Sequence, residues 1–353
     1  MFNIRGDDCH DYLIENIKPE LTFDKNKDFE LQKKLIKEKF IETFCLDEIE
    51  KNDREEMLIE ILNTKVFKDF TQYKVIFSSE KDVSVLGCML IPNNITEKAP
   101  LCIVLQGHNN TYLNSFGEGF KYQDFIDDKQ LVEDSMLAIQ AVKKGYCALA
   151  IEQRSIGQSY SNSGDRRYFS EKCSVQVYHA NAIGRTVLGE RVFDVKKSID
   201  FAGEFARRYN MLCDVNKVII TGNGAGGTTA YYSSIYDDRI SVCVPSCAFS
   251  TYKDSIYASA HCECEYIPRA YLNYDMQDLS IAIAPRKLIV VSGKDDEAYP
   301  LKGAKKAFDV VKEIFDKAGA KDNCKHVITD KGHRWCPDVV WLEIETAVKE
   351  LGW

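Results

Sequence analysis

From about residue 100 onward, short apolar runs alternate with longer stretches in which apolar residues recur at helical spacing. The runs LCIVL and VIIT have the length and continuity of strands buried in the sheet, and YCALAIE, RISVCVP, LIVVSG and CKHVITD read as further strands. Between them, 131–144, 186–208, 228–236, 304–318 and 339–351 read as helices; in the second, Val187, Val192, Val195, Ile199 and Phe205 fall near one face. This alternation predicts a mostly parallel sheet with helices on both faces. Upstream, YKVIFSS and VSVLGCMLIP flank Glu80-Lys81-Asp82 and predict a β-hairpin. Residues 1–70 have another texture: highly charged, poor in glycine, with Leu31, Leu35, Phe40, Phe44 and Ile49, and then Met57, Leu58, Ile61 and Leu62, at roughly helical spacing. They predict an N-terminal extension of two or three amphipathic helices, with the main domain at 71–353. A segment rich in Tyr and Cys, about 246–280, predicts a lid after the strand that ends near Pro245.

Composition narrows the reading. At 353 residues the chain can bury a large core, and its 45% hydrophobic and 28% charged content is ordinary for a soluble protein. A net charge of -8 and a pI near 5.4 argue against a nucleic-acid or anionic-membrane surface. No apolar run approaches the roughly 20 residues of a membrane span. The first residues lack the basic-then-apolar order of a secretory signal, and 13 cysteines in no framework spacing fit reduced thiols in a cytoplasm.

The sharpest local signal is VIITGNGAGG at 218–227. A β-branched strand, a glycine-rich turn and a short helix make the geometry of a nucleophile elbow, in which small residues flank a strained apex. Gly222, Gly226 and Gly227 occupy the small positions. The apex falls on residue 224, between Asn223 and Ala225, and it is Gly224. The glycines are not a dinucleotide fingerprint, because no acidic residue stands about 20 positions on at a strand end. No cofactor is expected.

With QGHNN, GYCALAIEQRSIGQS, GRTVLGERVFDVKKSIDF, GNGAGG, CECEYIPRAYLNYDMQDL, GKDDEAYP and KGHRW in this order, the chain resembles the α/β-hydrolase superfamily, and within it the acetylxylan-esterase and dienelactone-hydrolase-like branch. The resemblance covers about residues 70–353. It implies an α/β-hydrolase fold and hydrolysis of a carboxylic ester, with a small acyl group removed from a carbohydrate or similar small molecule. By the family order of nucleophile, acid and histidine, the nucleophile position is Gly224, the acid Asp296 (with Asp295 as fallback) and the base His333. The family's serine is absent, so ester hydrolysis is expected to be lost or severely impaired. The alternatives are a serine-independent lyase, isomerase or hydrolase using His333 and Asp296, and a ligand-binding protein without catalysis.

Other groups follow from position. The backbone N–H of Ala225, at a helix N-terminus, is a candidate oxyanion donor, and the loop after Leu105 offers a second from His108 or, next, Asn109. Asn109, Tyr266, Tyr299 and Trp335 are candidate substrate contacts; Tyr271 and Tyr274 belong to the same aromatic set. Thr221, Thr228 and Thr229 carry hydroxyls near the apex without occupying it. His261-Cys262-Glu263-Cys264 looks like half of a metal site, but no partner pair stands out in the sequence, so no metal is expected. The expected partner is a small molecule, with neither nucleic acid nor membrane; the oligomeric state is left open.

Overall fold

The computed structural model describes residues 5–53, 56–108, 110–120, 128–160, 173–258 and 261–353. Nine strands form one sheet: β1 (Ile59–Val66), β2 (Phe70–Glu80), β3 (Val83–Pro92), β4 (Ala99–Leu105), β5 (Cys147–Ile151), β6 (Cys213–Asn223), β7 (Ile240–Ser246), β8 (Lys287–Gly293) and β9 (Cys324–Thr329). Their order across the sheet is β1-β2-β3-β5-β4-β6-β7-β8-β9. The first three strands run antiparallel and β3 meets β5 antiparallel, while β5 through β9 are parallel throughout. This is the α/β-hydrolase fold expected from the sequence.

The alternation along β4 shows why the central runs are apolar throughout. Leu101, Ile103 and Leu105 face one layer with the helices Val187–Tyr209 and Ala225–Tyr236, whereas Cys102 and Val104 face the other with Leu137–Lys143 and Pro337–Glu350. Each fully buried Leu or Ile side chain contributes roughly 1.5–3 kcal/mol, so a polar residue on either face of β4 would be costly. The helix Val187–Tyr209 starts where the Thr186 side chain accepts from the Gly189 N–H and stops at Asn210, which takes the left-handed conformation. No helix among the described residues is long and apolar enough to cross a membrane.

Three sequence expectations change. The apolar residues at 57–62 form no helix: Ile59–Val66 is β1, paired with the outer edge of β2. Ile59 and Ile61 turn inward while Leu58 and Leu62 are about half exposed, which is strand alternation; the short apolar stretch fits both periods, and the open edge of β2 decides between them. In the helix Phe29–Thr43, Ile36 and Phe40 are buried and Leu31 and Leu35 remain exposed, so the buried stripe is offset from the predicted one. The single helix expected over 131–144 is two, Lys129–Asp134 and Leu137–Lys143. The Ser135 hydroxyl donates back to the Leu131 carbonyl at 2.8 Å, and the Ser135 carbonyl accepts from the Gln106 side chain at 3.1 Å, which takes it out of the helical ladder.

The N-terminal stretch is stitched to the connection between β7 and β8. Glu20 N–H donates to Leu272 O at 3.1 Å, Leu21 N–H to Asn273 O at 2.7 Å and Phe23 N–H to Asp278 Oδ1 at 2.9 Å. Lys33 Nζ adds a 2.6 Å bond to Ala284 O. On the other flank, buried Glu80 of β2 and Asp194 are bridged by Arg154, with Nη1 at 2.6 Å from Glu80 and Nη2 at 2.7 Å from Asp194, while Arg185 reaches Glu80 at 2.8 Å. This network fixes the loop after β5 to the sheet.

Candidate active site

Four expected residues stand at the carboxyl ends of parallel strands, where ligands bind in open α/β sheets: His108 after β4, Gly224 after β6, Asp296 after β8 and His333 after β9. Gly224 sits between β6 and the helix Ala225–Tyr236 with φ 55° and ψ -124°, a conformation that L side chains adopt only under strain. The turn is closed by Gly226, where a Cβ would lie 2.1 Å from the Leu105 carbonyl oxygen. A side chain at 226 would therefore push the helix off β4. At Gly224 an added Cβ would lie 2.7 Å from His333 Nε2.

Behind the imidazole, His333 Nδ1 is 3.1 Å from both carboxylate oxygens of Asp296. The Asp296 side chain is fully buried, and its Oδ1 accepts from the N–H groups of Ala298 at 2.9 Å and Tyr299 at 3.0 Å. Burial pushes its pKa up, but the hydrogen bond and charge of His333, the Tyr299 amide and Cys247 outweigh that, so the carboxyl sits below its ordinary value. Asp295, the fallback acid, is exposed and its N–H bonds Lys331 O at 3.1 Å instead. An imidazole held at one nitrogen by a buried carboxylate presents the other nitrogen to whatever occupies the space above Gly224.

That space is a cavity of about 400 Å³ lined by His108, Gly224, Ala225, His261, Glu265 and Tyr299, together with His333. A second hollow of about 300 Å³ opens on the other side of the Gly224–His333 pair and reaches Gln106, Asn223, Arg334 and Trp335. Ala225 heads its helix, so its N–H has no intrahelical acceptor. The His108 loop is tied down through Glu152, which accepts from the Thr111 hydroxyl at 2.6 Å and the Tyr112 N–H at 3.3 Å. Gln153 Nε2 donates to Gln106 O at 2.5 Å from the same strand end.

The expected substrate contacts divide. Tyr299 is buried, lines the larger cavity, lies near-parallel to the His333 ring at 6.3 Å and reaches Thr228 Oγ1 at 3.1 Å through its hydroxyl. Trp335 lines the second hollow and donates to Gln140 Oε1 at 3.2 Å. Tyr266 lines neither: its ring lies 6.3 Å from Tyr257, and the side chain is among the exposed ones. Tyr274 is a core residue, its hydroxyl bonded to Thr43. Asn109 lies outside the described residues. The His108 imidazole turns away from any base role: Nε2 is 3.0 Å from Cys264 Sγ, and burial, with the charges of Arg191, His333 and His261, lowers its pKa to about 3.

Two further residues line the cavity: His261, which the sequence offered only as a metal ligand, and Glu265, which it did not offer at all. His261 bonds Ala298 O at 2.9 Å through Nε2. Glu265 is buried and faces the fully buried Arg191 at 3.9 Å; burial raises its pKa to about 7 against the opposing pull of Arg191, Thr228 and His333. The only hint in the sequence is an acid set among cysteines and tyrosines.

No protein-family profile matches the chain. It is 23% identical over 266 residues to the Bacillus subtilis (strain 168) protein YtaP, whose name describes it as a hydrolase; the match covers 72% of this chain and 84% of YtaP. Among solved structures, a Bacteroides fragilis NCTC 9343 protein described as an acetyl xylan esterase superposes with a TM-score of 0.76 at 16% identity, over 98% of this chain and 95% of the other. A glucuronoyl esterase from Solibacter usitatus gives 0.62 at 12% identity, over 88% and 91%. At such identities likeness establishes architecture: the chain shares the α/β-hydrolase fold of these esterases.

Proposed function

We propose that the chain carries the site of a carboxylic-ester hydrolase acting on a small acyl group of a carbohydrate or similar small molecule, with the acyl acceptor missing at Gly224. The single observation that carries this reading is the 2.7 Å between His333 Nε2 and the Cβ position of residue 224, with Asp296 holding the opposite ring nitrogen. In the complete reaction a hydroxyl at 224 attacks the ester carbonyl while His333 takes its proton. The Ala225 and His108 N–H groups receive the negative oxygen, His333 returns the proton to the leaving alcohol, and a water that His333 then deprotonates cleaves the acyl group from residue 224 as the free acid. Tyr299 and Trp335 flank the substrate and residues 246–280 cover it as a lid. The likeness to an acetyl xylan esterase and a glucuronoyl esterase favours a carbohydrate ester. The composition of the chain, with its unpaired thiols, favours a cytoplasmic setting.

Loss of the triad serine removes on the order of 10⁶ in turnover, or about 8 kcal/mol of barrier, and leaves roughly 10³–10⁴ over water. The direct test is Gly224→Ser beside the unchanged chain on a panel of acetyl and aryl esters. A gain of several orders of magnitude supports the reading; ordinary esterase rates from the unchanged chain overturn it. A second reading is favoured by the cavity opening directly beside His333, with Asp296 behind it. There His333 activates water or removes a substrate proton without any side chain at 224. No gain from Gly224→Ser, together with turnover of another compound that His333→Ala abolishes, selects it.

A further inference from the structure

Beside the cavity, three cysteines and a histidine from distant parts of the chain converge. Cys173 heads the helix Ser174–Ala182, Cys262 and Cys264 flank Glu263 in the β7–β8 connection, and His108 comes from the loop after β4. The four ligand-type atoms, three Sγ and one imidazole nitrogen, lie within 4.8 Å of one another. Cys173 and Cys262 sulfurs are 2.6 Å apart, Cys262 and Cys264 sulfurs 3.5 Å, and His108 Nε2 is 3.0 Å from Cys264 Sγ. The first separation exceeds the roughly 2.05 Å of a disulfide. Tetrahedral zinc with Zn–S near 2.3 Å and Zn–N near 2.0–2.1 Å sets its ligands about 3.5–3.8 Å apart. The three separations given lie at or below that span and none of the others exceeds 4.8 Å, so shifts of about one ångström bring this set to that geometry. His261, the neighbour that made the sequence look like half a site, is engaged with Ala298 O and takes no part.

We propose that Cys173, Cys262, Cys264 and His108 bind one zinc ion in a closed Cys₃His site. Zinc displaces three thiol protons, and the resulting centre, with two positive and three negative charges, carries a net charge of -1. A buried charge of that sign needs a counterion, and the Arg191 guanidinium, fully buried, lies next to Cys264 and Cys173, with its Nη1 3.9 Å from Glu265. Four protein ligands leave no open position, so the ion is structural rather than catalytic. It pins the 173–182 helix and the 261–265 turn to the loop whose His108 lines the cavity. It stands independently of what position 224 carries.

Elemental analysis of the full chain, expressed with zinc and passed through gel filtration, should find about one zinc per chain. Cys173→Ser and Cys264→Ser should each cut that content to below about a tenth, whereas Cys336→Ser, a thiol outside the cluster, should leave it unchanged. Cobalt exchanged into the unchanged chain should show the thiolate charge-transfer and tetrahedral absorption bands of a Cys₃His centre. Metal-free protein with these three thiols titratable, or a Cys173–Cys262 disulfide seen as the loss of two hydrogens in the intact mass, overturns the site. Should the variants fail to fold, the zinc content and cobalt spectrum of the unchanged chain decide alone.

Discussion

His333 Nε2 stands 2.7 Å from the point where a Cβ on Gly224 would be. The imidazole has closed over the apex of the β6 turn and takes up room that a side chain there would need. Both partners must therefore give way when residue 224 gains a side chain. With φ at 55° and ψ at -124°, Gly224→Ala should destabilise the fold by about 1–3 kcal/mol. Urea unfolding measures this, and an alanine variant as stable as the parent would show that the turn is not held in this conformation.

Asp296 bears on the chemistry rather than on the turn. In the Gly224→Ser background, Asp296→Asn keeps an oxygen for the Ala298 and Tyr299 amides but loses the charge facing His333. Turnover should fall about 10⁴-fold. Asp295→Asn, altering an exposed neighbour, should leave it within a few-fold, and the reverse order of effects would exchange the roles of the two acids.

Gly226 tests the packing of the helix against the sheet. Its added Cβ would meet backbone, 2.1 Å from Leu105 O and 2.6 Å from Leu105 C, so no side-chain rotation relieves the clash. Gly226→Ala should cost at least about 3 kcal/mol or abolish folding. Thermal melting of the purified variant, or its absence from the soluble fraction, reads the outcome; an unaltered melting temperature would contradict the close approach.

Asp278 should make stability fall with rising pH. Burial lifts its pKa to about 7, against the pull of the Phe23 and Asp275 amides that it accepts from at 2.9 Å. The folded pKa lies above the unfolded one, so the folded state binds the proton more tightly. The contribution is complete below the unfolded pKa of about 3.9 and is lost as pH rises to about 7, at about 1.4 kcal/mol per unit. The stability difference between the parent and Asp278→Asn should shift by that slope from pH 4 to 7; a difference constant with pH would rule out the raised pKa.

What could be read beforehand was what neighbouring residues decide among themselves. LCIVL and VIIT announce central strands because both of their faces are apolar, and the turn glycines mark a close approach because Cβ atoms have nowhere to go. KGHRW and GKDDEAYP name residues that β8 and β9 then bring to one place. Illegible were the decisions made at a distance. The edge of β2 turned an apolar stretch into β1, and Gln106 broke a helix from across a loop. The Cys173–Cys262 and His108–Cys264 contacts join residues 89 and 156 positions apart, a spacing that matches no metal-ligand pattern along the chain.

The bonds from residues 20–23 to 272–278 give the molecule a handle far from its chemistry. A protease nick, an antibody or a fused tag that tugs on those first two dozen residues works, through them, on the β7–β8 connection, the same stretch of chain that carries His261 and Glu265.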